Sequence, residues 1–326
     1  MKKSFILVMC LILAISALFV GCGAKEPTTL KFGMGVYSST PAVTDATADK
    51  DGSGKLDVTV AAVTVDADGK IVACALDAAS NTVNFTADGK AVAKAEFKTK
   101  YEMGKDYNMV AYGGAKKEWY EQADAFEALV AGKTLDEVKA LVGAENKGTD
   151  EVVNAGCTIM INEFVAAIEK AYNAAAASNA TADTTLKVTA ATEQTCTDAT
   201  ADKDGSNKVA TTVFAAAIDK DGKVVAAASD CVELAFTFST KGASTLDTTK
   251  AVVSKKEQGA NYGMVAYGNA AKEWFEQAAA FDAACIGKTA SEIAGLMGQD
   301  GKGVADLQAA GCTIYVSGFV KAASKI

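Results

Sequence analysis

The stretch Val58-Thr-Val-Ala-Ala-Val-Thr-Val-Asp-Ala-Asp-Gly-Lys-Ile-Val-Ala-Cys-Ala-Leu76 decides the fold, because it joins two apolar runs through the turn Asp66-Ala-Asp-Gly69. An Asp-Gly pair between hydrophobic runs is a strong signal for a β-hairpin. The valines of the first run fall on both faces of an extended chain, and their alternation breaks phase once. This pattern predicts either a β-bulge or a strand that is buried on both sides. We expect the sheet built on this hairpin to be mainly antiparallel.

The same hairpin occurs twice, because the 326-residue chain is an internal duplication. The second copy runs from Val213 through Asp221-Gly222 to Ala228. Other segments recur 153 or 155 residues later: Asp45–Ser53 as Asp198–Ser206, Met109–Gly113 as Met264–Gly268, Lys117–Trp119 as Lys272–Trp274, and Ala155–Ile159 as Ala310–Ile314. Each copy has about 140 residues, which is near the commonest domain size. We therefore predict two tandem homologous domains, at residues 30–172 and 186–326, with a linker at residues 173–185.

Helices are predicted after the strands in each copy, which makes each copy an α+β fold. Apolar residues recur at helical spacing from Trp119 to Val130, and the run stops before Gly132. The segment Thr134-Leu-Asp-Glu137 then has the spacing of a capping box. Asn162, or Ser317 in the second copy, is expected to cap the last helix. Further strands are predicted at residues 82–86 and 92–97.

The N-terminus has the parts of a secretory signal, namely Lys2-Lys3, an apolar run from Phe5 to Val20, and a small residue before Cys22. The four residues Phe19-Val20-Gly21-Cys22 resemble a bacterial lipobox, whose cysteine becomes lipidated. We therefore predict a signal peptide at residues 1–21 and a tether at residues 22–29. The lipid on Cys22 would anchor the protein to the bacterial membrane, outside the cytoplasm. An ordinary secretory signal with an incidental cysteine is the alternative.

Composition excludes several functions, because the chain has no histidine and all 32 of its basic residues are lysine. The absence of histidine excludes Ser-His-Asp catalysis and His-ligated metals. The net charge of −8 and the absence of arginine make nucleic acid an unfavourable partner. Asp49-x-Asp51-x-Ser53 starts like a calcium loop but lacks the glutamate at its twelfth position, so we interpret it as a solvated turn. The pairing of the six cysteines beyond Cys22 stays open.

A loop that precedes the last helix of each copy is the candidate for chemistry. It consists of Ala155-Gly-Cys-Thr158 in the first copy and Ala310-Gly-Cys-Thr313 in the second. Free backbone N–H groups at such a helix entry favour an anion such as phosphate. A buried turn, in which the cysteine packs as a small apolar residue, is the alternative interpretation.

The hairpin and this loop together resemble the FMN-binding domain family, found in flavin-carrying subunits of sodium-pumping quinone reductases and in flavinylated bacterial lipoproteins. The family has a Ser-Gly-Ala-Thr loop, and a flavin transferase attaches FMN to its threonine by a phosphoester outside the cytoplasm. The resemblance implies that Thr158 and Thr313 accept FMN, with Gly156, Cys157, Gly311 and Cys312 in the same loops. Ala155 and Cys157 replace the serine and alanine of the family, as Ala310 and Cys312 do in the second copy.

Aromatic residues near this loop are candidates to stack on a flavin ring. They are Tyr107, Tyr112 and Trp119 in the first copy and Tyr262, Tyr267 and Trp274 in the second. The tryptophans lie on the apolar stripe of a helix, so core packing is the favoured interpretation for them. Tyr112 and Tyr267 precede glycine in a loop, where a binding role is more common. Lys117 and Lys272 are expected either to balance the phosphate charge or to stabilise a reduced anionic flavin.

Two functions from different classes agree with the sequence. The first is a membrane-anchored lipoprotein that carries FMN in both copies and transfers electrons from a membrane redox donor. The second is a surface or binding lipoprotein, without catalytic activity, that keeps the scaffold and binds no flavin. The altered loop favours the second function, while the presence of the same altered loop in both copies favours a retained site.

Overall fold

The computed structural model describes residues 28–326, and the predicted signal peptide and Cys22 lie outside these residues. The fold is α+β, with antiparallel sheets, as predicted. The strands are β1 (Lys31–Ser39), β2 (Val43–Thr44), β3 (Gly52–Val65), β4 (Ile71–Phe85), β5 (Ala91–Val92), β6 (Ala176–Ala177), β7 (Thr185–Thr197), β8 (Gly205–Ile218) and β9 (Val224–Phe238). The helices are α1 (Lys100–Met103), α2 (Trp119–Val130), α3 (Leu135–Lys139), α4 (Asp150–Ala155), α5 (Asn162–Asn173), α6 (Lys255–Gln258), α7 (Met264–Gly268), α8 (Trp274–Cys285), α9 (Ala290–Ala294), α10 (Ala305–Ala309) and α11 (Ser317–Ala323).

The predicted hairpin is the centre of each sheet. Strands β3 and β4 pair antiparallel, β1 lies on the other side of β3, and β7, β8 and β9 repeat this arrangement. Of the two interpretations of the broken alternation, burial on both faces is confirmed, because every residue of β3 from Val58 to Val65 is buried. The register of β3 is regular where the alternation breaks, and its one irregularity comes later, between Thr64 and Val65. Strand β4 extends from Ile71 to Phe85 without a break, so the two strands predicted there are one.

The strand predicted at residues 92–97 is wrong beyond Val92. Only Ala91 and Val92 pair with β4. The backbone N–H of Lys94 donates instead to Oε1 of Gln194, 2.8 Å away in the second repeat. Phe97 packs against the core between the two repeats. A side chain of the second repeat therefore bonds the backbone here, in place of the hydrogen bonds of a neighbouring strand.

The predicted helices agree with the structure except at one capping position. Helix α2 spans Trp119–Val130, and Thr134 caps α3 in a capping box with Glu137. The prediction that Asn162 and Ser317 are N-caps is wrong, because each is the first helical residue. The N-cap positions lie one residue earlier, at Ile161 and Val316, and no side chain caps the backbone there.

One face of each sheet packs on the helices of its own repeat. In the first repeat, Ala61, Val63 and Leu76 meet the apolar faces of α2 and α5. In the second, Phe214 packs edge to face on Phe281 of α8, with 6.4 Å between the ring centroids. Each repeat thus has a helix–sheet core of its own.

The other face of each sheet packs on the sheet of the other repeat. Phe85 of β4 stacks on Phe238 of β9, with ring centroids 4.7 Å apart, and both side chains are fully buried. Leu56, Val58 and Val209 belong to the same apolar cluster. The molecule is therefore a four-layer sandwich of helices, sheet, sheet and helices, and its two repeats share a core. Two separate domains are consequently not confirmed.

Reciprocal ion pairs close the edges of this shared interface. Lys170 of the first repeat contacts Glu257 of the second, and Lys325 of the second contacts Glu102 of the first at 2.7 Å. The segment predicted as a linker, residues 173–185, lies against the first sheet, where Ala176–Ala177 pairs with β1. The repeats are thus related by an approximate two-fold arrangement, in which each contributes the same surface.

Buried carboxylates satisfy the backbone at the edge of each sheet. Oε1 of Glu127 accepts the N–H of Leu76 at 2.6 Å, and Oδ1 of Asp77 accepts the N–H of Ala78 at 2.7 Å. Burial raises the pKa of Asp77 to about 7 and that of Glu127 to about 8. Asp230 and Asp282 occupy the equivalent positions, and burial raises the pKa of both.

We expect Phe85→Ala to lower the free energy of unfolding by about 3–5 kcal/mol, because it removes a fully buried ring from the shared core. Denaturant unfolding followed by circular dichroism and by tryptophan fluorescence measures this loss. Both probes are expected to report one transition in the wild type and in the variant, since each repeat contains one tryptophan. Phe97→Ala, at a half-buried position of the same cluster, is the control with the smaller loss. Two separate transitions in the wild type would contradict the shared core.

We expect the free energy of unfolding to decrease as the pH rises from 5 to 8. The folded state holds the proton of Asp77 up to about pH 7, whereas the unfolded chain releases it near pH 3.8. Each such group lowers the free energy of unfolding by at most about 1.4 kcal/mol per pH unit in that range. Asp77→Asn keeps an oxygen for the backbone N–H groups and is expected to flatten the curve measured by denaturant titration. Asp68→Asn, on an exposed turn, is the control, and an equal slope in all three proteins would refute the assignment.

Candidate functional site

The loop that carries the candidate threonine is shaped by a glycine at the end of a short helix. Helix α4 ends at Ala155, and Gly156 adopts a φ of 107°, which side-chain-bearing residues rarely adopt. The chain then turns back, and the N–H of Cys157 donates to the carbonyl of Val152 at 3.1 Å. Gly311 has a φ of 104° in the second repeat, where the loop follows the same course.

A buried glutamine orients each candidate threonine. Oε1 of Gln122 accepts the backbone N–H of Thr158 at 2.8 Å and its hydroxyl at 3.0 Å. The amide nitrogen of Gln122 donates to the carbonyl of Lys117 at 3.0 Å. Gln277 makes the same three bonds around Thr313. Thr158 and Thr313 are exposed residues, and the bonds to the glutamines hold their hydroxyl groups in one direction.

The sequence analysis missed these glutamines, although a signal for them was present. Gln122 lies between Trp119 and Phe126 on the stripe of α2 that faces the core, where a polar residue requires a buried partner. The equivalent position in α8 is also glutamine. A polar residue at the same buried position of both copies therefore pointed to a shared hydrogen-bonding role.

The backbone N–H groups of the loop are already used, which corrects the expectation that they attract an anion. The N–H of Gly156 donates to the carbonyl of Val153, that of Cys157 to Val152, and that of Thr158 to Gln122. Positive charge comes instead from a lysine side chain. A Cβ added to Gly156 would lie 2.3 Å from Nζ of Lys117. Nζ of Lys272 donates to the carbonyl of Ala310 at 3.3 Å, beside Gly311.

The loop cysteines lie in the protein core and not on the surface of the site. Cys157 and Cys312 have no exposed surface, and each belongs to the helix–sheet cluster of its repeat. Burial raises the pKa of both thiols to about 11. The interpretation as small apolar residues therefore suits them better than contact with a cofactor. All six cysteines among residues 28–326 are free thiols.

The aromatic candidates separate into three groups. Trp119 and Trp274 are buried and pack on Phe164 and Phe319, with centroids 5.6 and 5.5 Å apart, so they are core residues. Tyr112 is 88% exposed and Tyr267 is 89% exposed, so neither ring lies in a preformed site. The remaining pair, Tyr107 and Tyr262, is half-buried under a lysine. The ammonium of Lys100 lies 5.3 Å from the Tyr107 ring, and that of Lys255 lies 4.9 Å from the Tyr262 ring.

A groove of about 500 Å³ opens beside Thr313 in the second repeat. Its walls are mostly aromatic and apolar, and they include Tyr262, Met264, Trp274, Tyr315 and Phe319. Lys255 and Lys302 also line it, and Lys255 forms an ion pair with Glu233 at 2.9 Å. An exposed threonine, an aromatic groove and lysines thus lie together, although they come from four separate parts of the repeat.

No cluster of three or more potential metal ligands occurs among residues 28–326. Within the same residues, no helix has both the length and the apolar character required to cross a membrane. Comparisons with protein-family models, with curated proteins and with solved structures find no match for the chain.

We expect Gly156→Ala and Gly132→Ala to destabilise the protein by similar amounts, about 1–2 kcal/mol each, because both glycines have positive φ. The methyl group at position 156 would meet Nζ of Lys117, but this atom is the far end of an exposed, flexible side chain that can move away at little cost. A Cβ at Gly132 would meet nothing within 4 Å. Thermal unfolding of the two variants, each with and without Lys117→Ala, measures the two losses. A much larger loss in Gly156→Ala that disappears in the Lys117→Ala background would contradict this expectation.

Proposed function

We propose that this chain is a membrane-anchored extracytoplasmic lipoprotein that carries FMN on Thr158 and Thr313 and transfers electrons. The observation that carries the proposal is the exposed residue Thr313 at the edge of an aromatic groove, with a lysine beside its loop. The resemblance to the FMN-binding family supplies the identity of the cofactor. Cys22 would supply the lipid anchor.

The residues of the second repeat fit the chemical parts of FMN. The groove offers apolar and aromatic surface for a flat ring system, which suits the isoalloxazine group. The ammonium of Lys272, beside Gly311, offers positive charge for the phosphate. FMN, when bound, supplies one-electron and two-electron redox chemistry that protein side chains lack. Histidine is not required for this function.

The protein would contribute orientation and electrostatics. Gln277 fixes the direction of the Thr313 hydroxyl, because its amide oxygen accepts both the N–H and the O–H of this residue. When Oγ1 forms the phosphoester, the hydroxyl would lose its proton and another oxygen substituent would leave the phosphorus of the flavin donor brought by the transferase. Gln277 holds its own position through its bond to the carbonyl of Lys272. The first repeat holds Thr158, Gln122 and Lys117 in the same way.

A binding lipoprotein without flavin is the second candidate, and one observation favours it. The loop is complete without a ligand, because its N–H groups and the threonine hydroxyl already have protein partners. In this case the duplicated loop would serve only to connect α4 to α5 and α10 to α11. The two candidates differ in whether the threonine hydroxyl is chemically modified.

We expect the protein purified from its own host to carry two added masses, each equal to FMN less one water, and to absorb visible light as a flavin. A foreign host that lacks the flavin transferase would not give this result. Thr158→Ala and Thr313→Ala are each expected to remove one addition, whereas Thr149→Ala, at a nearby helix start, keeps both. Intact-mass spectrometry with a visible spectrum measures this. A colourless protein at its unmodified peptide mass would refute the flavin proposal and favour the second candidate.

A further inference from the structure

A second candidate site lies at one edge of the interface between the two repeats, and each such edge is called a seam. A cavity of about 290 Å³, open to solvent on one side, lies between strand β4 of the first repeat and strand β7 of the second. Three carboxylates line it, namely Asp77, which is 3% exposed, Glu127, and Glu102, which is paired with Lys325. The mouth is formed by Tyr101, Lys187 and Lys325. None of these residues belongs to the threonine loops or to the groove beside Thr313.

The duplication provides an internal comparison for this cavity. The opposite seam is lined by the equivalent residues of the second repeat, including Asp230, Lys256 and Glu257. There the ammonium of Lys256 lies 3.3 Å from Oδ2 of Asp282, which is the equivalent of Glu127. The acidic pair of the second repeat therefore has a lysine ammonium as its partner.

The first repeat lacks this ammonium, because Tyr101 stands at the position equivalent to Lys256. The Tyr101 hydroxyl donates to Asp124, an exposed residue of α2, and therefore does not replace the lysine. Position 279, which is equivalent to Asp124, is alanine. The two seams have thus diverged in a correlated way, since the tyrosine and its acceptor both occur only in the first repeat.

The lysines at the mouth of the cavity do not fill the place of Lys256. Lys325 is engaged with Glu102 at 2.7 Å and with the carbonyl of Ala190 at 2.7 Å. Lys187 is exposed, and it lowers the pKa of Glu127 less than burial raises it. Oε1 of Glu127 accepts the N–H of Leu76, whereas no residue among 28–326 donates to its Oε2, which is not among the buried atoms and stays open to solvent. Glu127 is half-buried, and a carboxylate at such a position is less favourable without a partner cation than beside an ammonium group.

We propose that the cavity between β4 and β7 binds a small molecule through a primary ammonium group, held by Glu127 and Asp77. The ammonium occupies the place that the Lys256 side chain occupies at the opposite seam. The volume of about 290 Å³ suits an alkylamine of a few carbon atoms, whose chain would lie against Leu76, Leu186 and Val188. Charge-assisted hydrogen bonds to the carboxylates provide the specificity for an amine over an alcohol of the same shape.

Isothermal titration calorimetry of the full chain with propylamine tests this proposal, with propanol as the uncharged analogue. The titration is run at about pH 9, where both carboxyl groups are ionised and the amine keeps its proton. Propylamine is expected to bind and propanol is not. Glu127→Gln keeps an oxygen for the Leu76 N–H and is expected to weaken propylamine binding by about tenfold or more, since it removes the charge. No binding of propylamine, equal binding of propanol, or equal affinity of Glu127→Gln would each overturn the proposal.

Tyr101→Lys provides a second variant that does not depend on removing a carboxylate. It places in the first repeat the residue that the second repeat already accommodates, so the fold is expected to persist. The new ammonium is expected to reach Glu127 and to abolish propylamine binding, while thermal stability stays equal or increases. Lys105→Ala, at an exposed position outside the cavity, is the matched control and is expected to keep binding. Full affinity in Tyr101→Lys, or loss of binding in Lys105→Ala, would contradict an ammonium site at Glu127.

Discussion

The apolar contact between the two sheets is the interaction on which the rest of the structure depends. Each sheet is only three long strands wide at its centre, and its helices cover one face alone. The other face carries Phe85 or Phe238 and a row of aliphatic side chains that must be removed from water. Packing these faces on each other buries them and fixes the order of the four layers. The helical layers, and the threonine loops within them, are consequently directed outward on opposite sides.

Much of the fold could be predicted because local patterns in this chain agree with its tertiary structure. The Asp66-Ala-Asp-Gly69 turn, the helical spacing from Trp119 to Val130 and the capping box at Thr134 each depend on neighbours in the sequence. The association of the repeats is not a local property. Burial of β3 on both faces indicated that something covers its second face, but the pattern of valines does not say what does. The same limit explains the false strand after Val92, where Gln194 from the other repeat bonds the backbone.

The candidate site was predicted only in part. Residues close to the loop in sequence were found, and residues far from it in sequence were not. Thr158 and its glycine are neighbours in sequence, so a motif found them. Gln122 lies 36 residues away and Lys117 is farther still, and they meet the loop only because α2 packs beside α4 and α5. The cysteines were misplaced because a sequence motif does not show which side chains of a turn point inward. The Cys157 and Cys312 thiols enter the core, whereas the threonines that follow them stay at the surface.

The reciprocal ion pairs of Lys170 with Glu257 and of Lys325 with Glu102 are those of an isologous dimer contained in one polypeptide. In a true homodimer every substitution occurs at both seams at once, so the seams must remain identical. Covalent fusion removes this constraint and lets each seam evolve alone. The two seams show such differences, with Lys256 at one and Tyr101 bonded to Asp124 at the other. The chain thereby keeps the stability of a symmetric assembly while gaining an asymmetry that two separate identical subunits do not permit.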